Sequence, residues 1–68
     1  MQLTINGEKK DVDDVRSLED LLTRLDLSAN MKGVAVAVND TVVPKIHWKT
    51  TRLEPGDVIE VIHAVQGG

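Results

Sequence analysis

The first residues of the chain alternate between apolar and polar side chains, a pattern that predicts a half-buried β-strand. Leu3 and Ile5 point to one face of this strand. Asn6-Gly7 comes next and predicts a tight hairpin, because both residues tolerate a positive φ. The charged segment from Glu8 to Val15 is then expected to form the outer strand of the hairpin.

A leucine stripe at helical spacing follows the hairpin. Its members recur at i, i+3, i+4 and i+7 and therefore lie on one side of a helix: Leu18, Leu21, Leu22 and Leu25. Ser17 is the expected N-cap, because its hydroxyl can accept a hydrogen bond from an amide of the first turn. The stripe ends by Leu27, and a loop is predicted at residues 28–30.

The second half of the chain returns to strand patterns. β-branched residues and turn signals predict, in order, a strand at Val34–Val38, a turn at Asn39-Asp40, a short strand at Thr41–Val43, one helical turn at Lys45–Trp48, a turn at Glu54–Asp57 and a last strand at Val58–Val65. Trp48 is expected to cover an end of the core with its ring and to leave its indole N–H near solvent.

These elements predict an α+β fold of the β-grasp type, a mixed sheet of about five strands with one main helix on one face. Residues 1–65 form the single predicted domain, and residues 66–68 form a flexible C-terminal tail. Alternation turns seven residues toward the helix, namely Leu3, Ile5, Val34, Val36, Val38, Ile59 and Val61. The residues predicted to point outward are Ala35, Ala37, Glu60, Ile62 and Ala64. We expect this flat, mildly apolar patch beside the tail to be a partner surface.

Composition excludes several functions. The chain has no cysteine, so it has neither a Cys-based zinc site nor a catalytic thiol. Eight basic residues against eleven acidic ones give a formal net charge of −3, which argues against nucleic acid as a partner. No signal peptide and no membrane-spanning run is visible, so we expect a soluble, cytoplasmic protein without a membrane partner.

The remaining residues give little support to an enzyme. His47 and His63 lie far apart in sequence and predict no metal site. Asp11–Asp14 begins like a calcium loop, but the glycine that such a loop needs at its sixth position is missing. Ser17 and Ser28 are better explained as a helix cap and a loop residue than as nucleophiles. A chain of this size is also expected to leave no room for a drug-sized pocket beside its core.

The C-terminal Gly67-Gly68 is the best candidate for chemistry. A glycine carboxylate has no Cβ beside it, so it can enter a narrow active site and be activated there as an acyl-adenylate. The tail from Gln66 to Gly68 reaches about 10 Å when extended, enough to place its end in another protein's active site. The tail therefore predicts a carrier or conjugation site at Gly68 rather than a catalyst, and a frayed, inert end is the alternative.

Several segments of the chain match a known pattern. They are residues 1–7, residues 34–39, Val43-Pro44 with Trp48, and above all residues 53–62 running into residues 64–68. In these segments, and over its whole length, the chain resembles the ThiS family, the ubiquitin-like sulfur carriers of thiamine biosynthesis.

The resemblance implies a route for sulfur. An E1-like adenylyltransferase would adenylate the Gly68 carboxylate with ATP and magnesium, and sulfur from a persulfide enzyme would replace the adenylate to give a thiocarboxylate. Thiazole synthase would then receive that sulfur. The carrier itself would bind no cofactor and would be a monomer when free. The alternatives are a carrier like the small subunit of molybdopterin synthase, a ubiquitin-like modifier conjugated to lysine, and a plain interaction domain.

Overall fold

Five strands form one mixed sheet in the computed structural model, which describes residues 1–25 and 33–63. Along the chain they are β1 (Gln2–Ile5), β2 (Glu8–Asp11), β3 (Val34–Val38), β4 (Thr41–Val43) and β5 (Val58–His63). Across the sheet their order is β2-β1-β5-β3-β4. β1 and β5 are parallel at the centre, and the other neighbouring strands are antiparallel. The predicted β-grasp topology is confirmed.

The helix α1 (Leu18–Arg24) covers one face of the sheet. Ser17 caps it as predicted, because its Oγ accepts a hydrogen bond from the Asp20 amide at 3.2 Å. The leucine stripe joins the inward residues of the central strands in one core, which consists of Leu3, Ile5, Val15, Leu18, Leu21, Leu22, Val36, Trp48, Leu53, Ile59 and Val61. Leu25 is partly buried at the C-cap, while Leu27 and the loop predicted at 28–30 lie outside the described residues.

The predicted turns are present. Asn6 and Asn39 open the two hairpins with φ values of 49° and 50°, the left-handed conformation that asparagine tolerates. The helical turn after Pro44 is a 3₁₀ helix at Lys45–His47. Within residues 1–25 and 33–63, no helix is long and apolar enough to cross a membrane.

Two local predictions need correction. The strand predicted from Glu8 to Val15 ends at Asp11, because Asp14 takes a φ of 58° and Val15 turns into the core with 4% of its surface exposed. The ring of Trp48 is buried as predicted, but its indole N–H does not face solvent. It donates to the Val43 carbonyl at 2.8 Å, as a buried donor requires a partner.

Candidate functional site

β5 carries the chain toward the predicted functional tail. Its residues Val58 and Ile59 pair with β1, whereas the strand beyond them pairs with β3 as far as His63, which lies opposite Val34. The end of β5 therefore projects past the end of β1. Ala64 and the tail at residues 66–68, with the sulfur attachment predicted at Gly68, lie outside the described residues. The roles of Gly67 and Gly68 stay predictions.

Two asparagines hold the first four residues of β5. The Asn6 amide donates to the Ile59 carbonyl at 2.9 Å, and its side-chain Oδ1 accepts from the Val61 amide at 2.8 Å. Asn39 donates from its backbone to the Val58 carbonyl at 2.8 Å and accepts from the Val58 amide through Oδ1 at 2.9 Å. The sequence indicated both residues only as turn formers. The sequence could have indicated this second role, because the side-chain amide of an asparagine in a turn can hydrogen-bond to backbone groups nearby.

The outward side of β3 and β5 has the arrangement expected of the predicted partner surface. Ala35 lies opposite Ile62, and Ala37 lies opposite Glu60. Ala35 and Glu60 are exposed, Ala37 is half-buried, and Ile62 leaves 57% of its surface accessible. Alternation along the strands places these side chains away from α1. Whether a partner binds there stays a prediction, and Ala64 lies outside the described residues.

Two further valines widen this surface. Val42 on β4 lies opposite Ala37, and Val58 on β5 shares the outward parity of Glu60 and Ile62. They are 69% and 41% exposed. The sequence prediction missed both, although alternation within the predicted strands could have found them. We define the outer face as the six outward residues Ala35, Ala37, Val42, Val58, Glu60 and Ile62.

Two carboxylates, one at the end of β2 and one just after it, lie close to the N-terminal ammonium group. The Met1 ammonium lies 3.4 Å from a carboxylate oxygen of Asp11 and 4.0 Å from one of Asp13, and it donates to the Val12 carbonyl at 2.6 Å. The start of a calcium-like loop therefore has a structural explanation. In the part of the chain that the structure describes, no group of three His, Asp or Glu side chains is placed to hold a metal ion.

An open cavity of about 550 Å³ lies on the surface. It is lined by Arg16, Ser17, Lys49, Thr50, Arg52 and Leu53, most of which are exposed. Because it is a surface depression outside the core, it does not contradict the prediction that no drug-sized pocket lies beside the core.

Comparisons with known proteins point to one family. The model of the ThiS family matches residues 3–68. A crystal structure of a thiamine biosynthesis protein (ThiS) from Geobacter metallireducens superposes with a TM-score of 0.83 at 30% identity, with both chains covered completely. An NMR solution structure of a thiamine biosynthesis protein from the same organism gives a TM-score of 0.79 at 28% identity, covering all of this chain and 88% of that one. The uncharacterised protein ycf40 of Pyropia yezoensis is 38% identical over 68 residues, which span this chain and 93% of that protein.

Proposed function

The chain belongs to the ThiS family, and we propose that it carries sulfur as a thiocarboxylate on Gly68. The observation that carries this proposal is the family match, which extends to the last residue and so includes Gly67-Gly68. The course of β5 supports it, because this central strand projects past β1 in the direction of the tail. From His63, five residues reach roughly 17 Å when fully extended.

The proposed chemistry takes place on the chain terminus in the active site of an E1-like adenylyltransferase. The Gly68 carboxylate attacks the α-phosphorus of ATP, with magnesium on the phosphates, and pyrophosphate leaves. A persulfide sulfur then attacks the acyl carbon, and AMP leaves with the electrons of the broken C–O bond. A thiol cleaves the resulting S–S bond and releases the thiocarboxylate. Thiazole synthase is the proposed acceptor of this sulfur.

The outer face is the proposed docking surface for these enzymes. It includes Ile62, which is 57% exposed and lies one residue before the last described position of β5. The apolar side chains of Val58 and Ile62 on β5 and of Val42 on β4 flank Ala35 and Ala37 on β3, the strand between them. Small alanines let a partner approach the strands closely, so that contact there can guide the tail into an active site.

Intact-mass spectrometry tests the proposal directly. The full chain is incubated with ATP, magnesium, sulfide and the activating enzyme, and one oxygen is expected to be replaced by sulfur. Oxidation of Met1 or Met31 gives nearly the same nominal mass shift, so the product is also trapped with a thiol-alkylating reagent. The matched control is the chain that lacks Gly68, which should fold normally and take up no sulfur.

The same experiment separates the alternatives. Heavier conjugates on lysine would instead support a ubiquitin-like modifier, and no product from a correctly folded chain would contradict the carrier proposal. Deleting the gene that encodes this chain shows which enzyme accepts the sulfur. A requirement for thiazole supports thiazole synthase, whereas loss of the molybdenum cofactor supports a carrier for molybdopterin synthase.

A further inference from the structure

The cavity described above lies where two segments of the chain meet, one just before α1 and one between the 3₁₀ helix and β5. The Leu53 amide of the second segment lies 3.5 Å from the Arg16 carbonyl of the first. None of the six lining residues named above belongs to the outer face.

Backbone hydrogen bonds fix the two segments that form the cavity. Ser17 and Arg52 form an isolated antiparallel bridge, and the Leu18 amide donates to the Thr51 carbonyl at 2.9 Å. The Thr51 amide in turn donates to the His47 carbonyl at 2.9 Å. The Cα atoms of the lining residues are thus held by main-chain contacts, although their long side chains reach into solvent.

The lining is strongly cationic in an acidic chain. Arg16, Lys49 and Arg52 are three of the eight basic residues, and none of the described residues that line the cavity carries a carboxylate. Within residues 1–25 and 33–63, the ion pairs belong to the Met1 ammonium, so these three cations are not neutralised there. Asp20 contacts one lining residue through its backbone, since its Oδ2 accepts from the Arg16 amide at 3.2 Å.

The hydroxyls of the cavity add one donor. Ser17 Oγ accepts the Asp20 amide, which leaves its own proton free to donate. Thr50 Oγ1 lies 3.2 Å from the His47 carbonyl, to which it donates, so its proton is already used. The lining residues therefore supply two guanidinium groups, one ammonium and one hydroxyl as potential donors. Guanidinium forks suit phosphate oxygens in particular, because they bind them in a bidentate way.

From these observations we propose that the cavity binds a small phosphorylated molecule with two or more negative charges, of the diphosphate class. The net charge of −3 disfavours a nucleic acid or an anionic membrane, since an extended polyanion meets the field of the whole protein. A small ion meets mainly the local cations, because salt screens charges beyond about 8–10 Å.

Titration with inorganic pyrophosphate, followed by ¹⁵N–¹H NMR at constant ionic strength, tests the site. We expect saturable shifts in the amides of residues 16–20 and 48–54. The Lys49→Gln/Arg52→Gln variant should bind about tenfold more weakly or worse, because it removes two charge-assisted contacts. The matched control is Lys9→Gln/Lys10→Gln, which changes the net charge equally on exposed β2 and should bind within about twofold of the parent.

Several results would overturn the site. Pyrophosphate would be attracted only nonspecifically to positive charge if the chemical shifts rise linearly without saturation or spread over all cationic residues. Equal weakening of binding in both double variants would mean the same. Binding to phosphatidylserine vesicles without any response to pyrophosphate would point to a membrane surface instead. If the double variant fails to fold, the single Lys49→Gln variant decides, because this exposed side chain carries one of the three charges.

Discussion

The side chain of Asn6 gives the Val61 amide the hydrogen-bond acceptor that a longer β1 would provide through its backbone. Its Oδ1 accepts the Val61 amide at 2.8 Å, two residues beyond the point where the Asn6 amide donates to the Ile59 carbonyl. β1 ends at Ile5, so without this side chain the Val61 amide would have no neighbour on that side. The asparagine thereby extends the parallel ladder toward the tail. Its φ of 49° lets one residue both turn the hairpin and reach back to β5.

Replacing Asn6 should therefore destabilise the fold even though the residue is exposed. Asn6→Gly tolerates the positive φ but removes the acceptor, and we expect a loss of about 1–3 kcal/mol in the free energy of unfolding. Asn6→Asp keeps both an acceptor oxygen and the tolerance of this φ, so it should lose less. Urea unfolding followed by Trp48 fluorescence measures both. Equal stability of the parent and the glycine variant would contradict the role.

The two faces of the sheet predict losses of different size for the same substitution on neighbouring strands. Val36 on β3 is 1% exposed, whereas Val42 on β4 is 69% exposed. Val36→Ala removes two buried methyl groups and leaves a cavity, so it should lower the free energy of unfolding by about 2–3 kcal/mol. Val42→Ala should cost less than about 1 kcal/mol, mostly through β-propensity. If urea unfolding shows similar losses of unfolding free energy for both variants, the assignment of Val36 as buried and Val42 as exposed would be wrong.

The indole of Trp48 should contribute a hydrogen bond as well as volume. Its Nε1–H donates to the Val43 carbonyl at 2.8 Å, and only 2% of the residue is exposed. Trp48→Phe keeps an aromatic ring but removes this donor and some volume, and we expect a loss of about 1–3 kcal/mol. Thermal unfolding by circular dichroism measures it, because the variant lacks a fluorescent indole. A change below about 0.5 kcal/mol would show that the hydrogen bond adds nothing.

Most of the fold follows from local patterns. Alternation predicts the strands β1 and β3, the leucine stripe predicts α1, and the asparagines predict the turns. Because the helix has a single apolar stripe, it must pack against one face of the sheet. The missed features depend on contacts between distant positions. The bond from Asn6 to Val61 spans 55 residues, and Ser17 meets Arg52 only through the packing of two segments that are distant in sequence. Neither register can be obtained from periodicity within one segment.

The outer face should be needed for activation but not for folding. Ile62 is 57% exposed, so Ile62→Asp is expected to change the free energy of unfolding by no more than about 0.5 kcal/mol. A charge at the centre of an apolar contact should slow sulfur loading about tenfold or more at limiting carrier concentration. The matched control is Ile46→Asp, which adds the same charge at a residue 83% exposed on the 3₁₀ turn. Full activity of the Ile62 variant, or equal losses in both variants, would rule out docking through this face.

Gly67 should be required for its lack of a side chain. If the tail enters a narrow channel to present the Gly68 carboxylate, a Cβ at the preceding residue crowds the channel and restricts the backbone. Gly67→Ala should then slow thiocarboxylate formation by about tenfold or more, while the free energy of unfolding stays unchanged, since residue 67 follows the predicted domain. Gln66→Ala is the control, because it shortens a side chain one position earlier and adds no Cβ. Loading rates are measured by alkylation and intact mass at limiting activating enzyme. Loading of the Gly67 variant at the parent rate would show that the channel accepts a side chain there, and that the glycine pair has some other purpose.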